Sequence, residues 1–342
     1  MRITDASYGS NEDGLIWGYR FVPGQPAQPI STDAVAAFLA RPEDGADTGA
    51  NPGFLWLHFS LSNVGAERYL HRALDLPDAF FDSLRSEVGS TRLELDDGAL
   101  IAVIHDVLFD SSFDASEVGT TSLCIGPRLL VSARLRPLRS VDQLRAAVRS
   151  GQIFRSPVEL LAHLLRDQAS VLGDILRKST VQVDRIEDRL LANRIADDRK
   201  QLGALRRSLV RLQRLMAPEP TALFRLLNRP PDWIDRDDIQ DLQQAAEEFS
   251  TAIGDSAALV ERIKLIQEEL AALVNEQTGR TLFVLTVVTV LALPINLIAG
   301  LFGMNVGGVP LSDNPHGFWS VVVGLFVLTA VLAYAAFGRR RD

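Results

Sequence analysis

Gly300-Leu301-Phe302-Gly303-Met304-Asn305 closes an apolar run that starts at Thr281, with no Asp, Glu, Lys, Arg or His before Asp313. A second apolar run, Phe318 to Phe337, follows and ends in Gly338-Arg339-Arg340-Arg341. Each run is about 20 residues, which at about 1.5 Å per residue matches the roughly 30 Å of bilayer hydrocarbon. The spacing predicts a helical hairpin in the membrane at the C-terminus: transmembrane helix 1 over 281–303, an outer loop over 304–317, transmembrane helix 2 over 318–338 and a tail over 339–342.

Positive charge sets the expected orientation. Arg280 precedes the first span and three arginines follow the second, whereas the connecting loop has no Lys or Arg. Both ends of the hairpin are therefore expected on the cytoplasmic side of a bacterial inner membrane. The N-terminus has no charged segment followed by an apolar core of signal-peptide type, so residues before Thr281 are expected to stay in the cytoplasm. The single cysteine, Cys124, excludes an intrachain disulfide framework. A net charge of −8 argues against nucleic acid as partner. Neither a Gly-x-x-x-x-Gly-Lys-Ser/Thr loop nor a dinucleotide fingerprint occurs, and no nucleophile–base constellation is visible. Nucleotide-driven and enzymatic functions thus have no support in the chain.

Residues 1–150 read as a cytoplasmic α/β domain. Phe54-Leu55-Trp56-Leu57-His58-Phe59 is a strand candidate after Asn51-Pro52-Gly53. Arg92–Leu95 and Leu100–Ile104 flank an Asp96-Asp97-Gly98 turn, and Thr121–Ile125 and Leu129–Ser132 flank Gly126-Pro127-Arg128, predicting two hairpins. Ala66–Leu74 and Pro77–Ser86 carry helical spacing, and Ala40–Gly53 reads as a loop. Residues 151–280 read as helical. Ser156-Pro157-Val158-Glu159 is a helix start, with a capping hydroxyl, proline at the first position and a carboxylate in the first turn. A second helix is expected from Asp197 to about Met216, interrupted by Pro218 and Pro220. A third pattern begins near Asp235 and meets no proline until Pro294, predicting one helix of about 65 residues, roughly 100 Å long.

At about 100° per residue, Thr278, Thr286, Thr289, Asn296 and Gly300 fall within one arc of about 80° on that helix. Asn275, Glu268 and Glu261 extend the arc toward the cytoplasm, with Lys264 on the same face. Leu259, Ile263, Ile266, Leu270 and Leu273 line the opposite side. A polar stripe on a membrane helix needs partners, because unsatisfied polar groups in hydrocarbon are costly. Helix–helix packing and a water-filled pore both satisfy it. Two spans cannot enclose a channel, so a pore would require several copies about one axis.

Pro294, Gly300 and the Gly303-Met304-Asn305 triplet, followed by a short loop and a second span, stand at a spacing that resembles the CorA family of divalent-cation transporters. The order of α/β domain, helix pair and stalk helix extends the resemblance over the whole chain. Gly303-Met304-Asn305-Val306-Gly307-Gly308-Val309-Pro310 resembles the ZntB zinc-transporter branch of that family. The resemblance implies a funnel-shaped homopentamer in the lipid bilayer, with five first spans around the pore and a ring of Asn305 carboxamides at the outer mouth. Amide oxygens there would accept hydrogen bonds from a cation's hydration waters. Below that ring, Asn296, Thr289 and Thr286 are expected to face the lumen, with Leu293 and Leu282 as apolar constrictions and Gly300 on the same face. Glu261 and Glu268, with Asn275, would gather cations in the funnel.

The expected cargo is Zn²⁺, with Cd²⁺, Ni²⁺ and Co²⁺ as further substrates, and no cofactor. Zinc prefers nitrogen and sulfur ligands, yet neither span carries His or Cys, so the ion is expected to pass largely hydrated. In the outer loop Asp313 and His316 are the candidates for metal capture; His58, in a strand pattern, reads as structural. Intramembrane proton relays commonly use Asp, Glu or His. Coupling to protons would have to use Asp313, His316, Glu261 or Glu268. Two alternatives stand beside this reading: a Mg²⁺/Co²⁺ channel driven by membrane potential, and a membrane-anchored cytoplasmic scaffold or sensor.

Overall fold

A computed structural model describes residues 9–40, 53–85, 92–109, 118–192, 198–304 and 315–338. The chain divides into two compact units, Met1–Ile266 and Gln267–Asp342. Most of the Ala40–Gly53 segment, Asn305, Asp313 and the C-terminal arginines lie outside the described residues.

The first unit is built on a seven-stranded sheet. Its strands are β1 (Leu15–Phe21), β2 (Gln28–Pro29), β3 (Phe54–Ser60), β4 (Arg92–Asp96), β5 (Ala99–Val107), β6 (Val118–Ile125) and β7 (Leu129–Arg134). They lie in the order β2-β1-β3-β7-β6-β5-β4, antiparallel except for β3 beside β7. Phe54 to Phe59 are all buried, as expected of a central strand covered on both faces. The β4–β5 hairpin turns on Asp97 and Gly98, both at positive φ, the conformation that favours Asp-Gly at such a turn. Gly53 enters β3 at φ 81°, where a Cβ would come within 1.9 Å of the Phe21 carbonyl oxygen.

Helices cover both faces. On one lie α1 (Thr32–Leu39), α2 (Val64–Ala73) and α3 (Asp78–Arg85), whose Val35, Phe38, Leu70, Phe80 and Phe81 pack with Leu55, Leu57 and Phe59. On the other lie α4 (Arg139–Arg149), α5 (Pro157–Leu191), α7 (Pro218–Leu227) and the start of α8 (Arg236–Phe302), packed over Trp17, Tyr19, Phe54 and Trp56. Burial of each such large apolar side chain contributes about 1.5–3 kcal/mol. α5 starts where the sequence predicts: Ser156 Oγ accepts the Glu159 N–H at 2.9 Å and Pro157 opens the helix.

α6 (Asp198–Met216) and α7 meet at the predicted proline break, but the prolines do not leave a loop. Pro218 sits at the start of α7, where its missing N–H costs nothing, and the chain turns once and continues as helix. α8 runs for 67 residues through Gly254, Gly279 and Pro294. In its first-unit portion Leu259, Ile263 and Ile266 are buried, while Glu261 is exposed. Arg262 ties this face to α5 through ion pairs with Asp184 and Glu187.

The second unit holds the rest of α8 and α9 (Gly317–Gly338). Both helices are long and apolar enough to cross a membrane, and in a single chain nearly all of that apolar surface is exposed. Leu293 is 67% and Phe326 75% exposed, a surface that water does not support and that lipid or further copies must cover.

Candidate functional site

The α8 span carries the polar stripe on an unbroken helix. Thr278, Thr286, Thr289, Asn296 and Gly300 are all exposed in one chain. Each threonine hydroxyl donates to the carbonyl four residues back: Thr278 to Val274 at 2.8 Å, Thr286 to Leu282 at 2.8 Å and Thr289 to Leu285 at 2.9 Å. The donor is consumed within the helix, so what each hydroxyl offers outward is its oxygen as an acceptor. Acceptor oxygens suit the waters around a cation. One turn further along, Pro294 has no N–H to give the Val290 carbonyl, which leaves another oxygen on the span without its helical donor.

Leu282 and Leu293, expected as apolar constrictions, are exposed at 58% and 67% in one chain. α8 ends at Phe302; Gly303 N–H bonds to the Ala299 carbonyl at 2.9 Å and Met304 N–H to Leu301 at 3.4 Å. A helix end at this motif is thus real, but Gly303 is not at positive φ, so its need for glycine is not the left-handed one. A Cβ at Gly303 would lie 3.1 Å from the Ala299 oxygen, whereas one at Gly300 would meet nothing in a single chain. Met304 is 52% exposed. His316 is described and exposed just before α9, and its carbonyl accepts the Ser320 N–H at 3.1 Å.

Before the apolar stretch of α8, Glu268 and Asn275 are exposed. Glu261 is exposed too, but Lys264 Nζ stands 2.9 Å from its Oε1, so its charge is largely offset. The acidic character of this face therefore rests more on Glu268 than the sequence pattern implied.

His58 serves the fold. His58 is fully buried in β3: its Nε2 accepts from Arg134 Nε at 2.8 Å, and its Nδ1 stands 2.7 Å from Ser132 Oγ. With Nε2 accepting, Nδ1 carries the proton and donates to Ser132. Burial, then the Arg134 and Arg145 charges, lowers its pKa well below the ordinary value, so the ring is neutral and both nitrogens are used. Trp17 stacks on it at 4.0 Å. Burial pushes the Cys124 thiol up to about 12, far from the thiolate a metal needs. Among the described residues, no three His, Cys, Asp or Glu side chains converge as a metal site.

Sequence reasoning missed a second polar cluster, inside the first unit. Glu219 of α7 accepts the His105 backbone N–H at 2.7 Å, and Gln168 of α5 donates to the His105 carbonyl at 2.6 Å. Beside them Asp106 accepts from the Ser140 N–H, the Ser140 hydroxyl and the Val107 N–H. Only the run of titratable residues His105-Asp106 on an otherwise apolar strand signals it.

An α/β domain followed in sequence by a 67-residue helix with an apolar end and by a second apolar helix is the element order of a class of membrane transporter, and the chain belongs to the CorA family. The family described as CorA-like Mg²⁺ transporter protein matches residues 51–340. Among relatives, the divalent cation transporter CmaX of Pseudomonas aeruginosa is 28% identical over 315 residues, covering 90% of this chain and 91% of that one. The zinc transport protein ZntB of Pectobacterium atrosepticum is 26% identical over 286 residues, 82% of this chain and 85% of that one. The solved structure of full-length CmaX superposes with a TM-score of 0.78 at 26% identity, over 98% of this chain and 100% of that one. The protein is a divalent cation transporter of the CorA family.

Proposed function

We propose that several copies of this chain, five by the family pattern, set their α8 spans around one axis to pass a largely hydrated divalent cation, with Zn²⁺ preferred. The observation that carries this reading is the pair Thr286 and Thr289. Both hydroxyls are exposed on an apolar helix, and both have spent their proton inside it at 2.8 and 2.9 Å. Facing lipid, those oxygens would have no donor; facing a lumen, they accept from the hydration shell of an ion. Asn305 would add a ring of carboxamide oxygens at the outer mouth, and Glu268 would draw cations into the cytoplasmic end. The hairpin would place both termini in the cytoplasm of the inner membrane, following its arginines.

Zinc is favoured because relatives of this chain that cover most of its length are named zinc transport proteins. Cd²⁺, Ni²⁺ and Co²⁺ fit the same oxygen-lined path. A second reading, a Mg²⁺/Co²⁺ channel driven by membrane potential, is favoured by the absence of nitrogen and sulfur ligands along the span, which suits a hard, hydrated ion. Proton coupling would have to use Asp313, His316 or the funnel carboxylates.

Uptake of Zn²⁺ and Mg²⁺ into liposomes holding the purified protein, with and without a proton gradient and beside Asn305→Ala, tests the proposal. Zinc flux above magnesium flux, lost in the variant, is expected. Magnesium flux driven by potential alone would favour the second reading, and no flux of either ion would leave the spans as anchors.

A further inference from the structure

α6 is a strongly basic helix on an acidic protein. Arg199, Lys200, Arg206, Arg207, Arg211 and Arg214 face a single acid, Asp198, in a chain of net charge −8. At about 100° per residue, Lys200, Arg207, Arg211 and Arg214 share one arc of about 60°. All four are exposed, opposite the buried Leu202, Leu209, Leu212 and Met216. Arg207, Arg211 and Arg214 stand in no ion pair among the described residues.

α8 carries the complementary charge at the same height. α5 and α8 run in the same direction, because Arg155 and Arg166 pair with Asp241 at one end and Arg262 pairs with Asp184 and Glu187 at the other. α6 returns along α5: Arg189 pairs with Asp198 at the tip, and Glu219 and Gln168 grip the same residue, His105, at the base. These two joints are equally far apart in residue number on α5 and on the α6–α7 segment. Interpolating between them puts Arg207 level with Asp255, and Arg214 level with Glu248. The two arginines and the two acids are each seven residues apart, about 10 Å along a helix. Glu248 and Asp255 are exposed, and neither is in an ion pair among the described residues; Glu248 accepts only from Gln244, at 2.9 Å.

We propose that the basic face of α6 docks on the Glu248–Asp255 flank of α8 in a second copy of this chain, Arg207 opposite Asp255 and Arg214 opposite Glu248. The inference rests on the reading that several copies surround one axis. A copy related by rotation about an axis along the helices keeps these heights, so groups that are level but separate within one chain can meet between chains. The two helices would run antiparallel, which matches the two charge ladders pair for pair. A lipid surface fits less well, since a helix that lies on a membrane inserts its apolar side, and that side of α6 is already buried.

Two differently tagged versions of the full-length protein, Arg207→Cys in one and Asp255→Cys in the other, are co-expressed and treated with a short bis-maleimide. Cys124 is buried and stays silent. A cross-linked band carrying both tags is expected. Arg207→Glu with Arg214→Glu should lower the oligomeric fraction in native mass spectrometry, most at low salt, and adding Glu248→Arg with Asp255→Arg should restore it. An oligomeric wild type with no cross-link and no response to reversal overturns this interface alone. A monomeric wild type overturns the multi-copy reading itself.

Discussion

Glu219 of α7 accepts a hydrogen bond from the His105 backbone N–H at 2.7 Å, joining a helix to β5 of the sheet. Among the described residues, the β4–β5 pairing reaches Arg92 opposite Val103. Two residues further along β5, Glu219 accepts from the His105 N–H and Gln168 donates to its carbonyl. An α-helical layer is thereby pinned to the sheet by backbone groups that would otherwise be buried without partners.

Removing that acceptor should cost about 1–3 kcal/mol, because Glu219→Ala strands a buried N–H. Glu219→Gln should be far milder. Glu219 Oε2 and Gln168 Oε1 are both buried acceptors with no donor among the described residues, and a glutamine amide supplies one. Burial raises the Glu219 pKa, against the pull of its bonds to His105 and Gln168, so a neutral amide at this position avoids the cost of burying a charge. Thermal midpoints of the two variants in detergent check this; equal losses would refute the role assigned to the acceptor.

Asp106 should give the first unit a pH-dependent stability. Burial pushes its carboxyl up to about 7, against the hydrogen bonds from Ser140 and Val107. An unfolded Asp titrates near 3.9. Between about pH 4 and 7 the folded chain therefore holds a proton that the unfolded chain has released, so stability falls as pH rises through that window and levels off above it. At about 1.4 kcal/mol per unit the whole effect is at most about 4 kcal/mol. Asp106→Asn should be less stable at pH 4, where it loses an acceptor, yet show a flatter decline toward pH 7. Parallel melting-versus-pH curves for variant and wild type would contradict the assignment.

Thr286→Val and Thr289→Val remove the outward oxygen while keeping the side-chain volume and the helix. Cation flux should drop by several-fold, with unchanged expression and thermal midpoint. Flux equal to wild type in the double variant would move these threonines from the lumen to a packing interface.

Leu293→Ser or Leu282→Ser should increase leak if either leucine closes the path, because an apolar constriction gates by excluding water. The readout is basal cation efflux from loaded liposomes. No rise in either variant would remove both as gates.

Glu268→Gln should lower flux more than Glu261→Gln, since Lys264 already offsets Glu261. The loss should be largest near 10 mM salt, where the Debye length is about 30 Å, and small near 1 M, where it is about 3 Å. Equal effects at both salt concentrations would exclude an electrostatic role.

Much of the architecture was legible because its signals are local. The Asp97-Gly98 turn, the Ser156-Pro157 start, the buried run Phe54–Phe59 and the apolar stretch after Thr281 each depend on neighbouring residues, and each became the expected element. β1 was not legible. A register irregularity between Leu15 and Trp17 breaks its alternation, and Gly18 is present because a Cβ would lie 2.8 Å from the Ile30 carbonyl oxygen, a contact made by a distant segment. α1 and α4 are short and likewise depend on the sheet they cover.

By itself the sequence determined the two spans, the long helix and the residues that share its polar arc, since helical periodicity and bilayer thickness act along the chain. Tertiary structure alone decided that β3 pairs in parallel with β7, that Glu219 and Gln168 bond to His105 of β5, that Lys264 offsets Glu261, and that α6 and α8 carry matching charges at one height. Those relationships join residues far apart in the chain, and no local periodicity records which distant group will supply a buried N–H or a neighbouring charge.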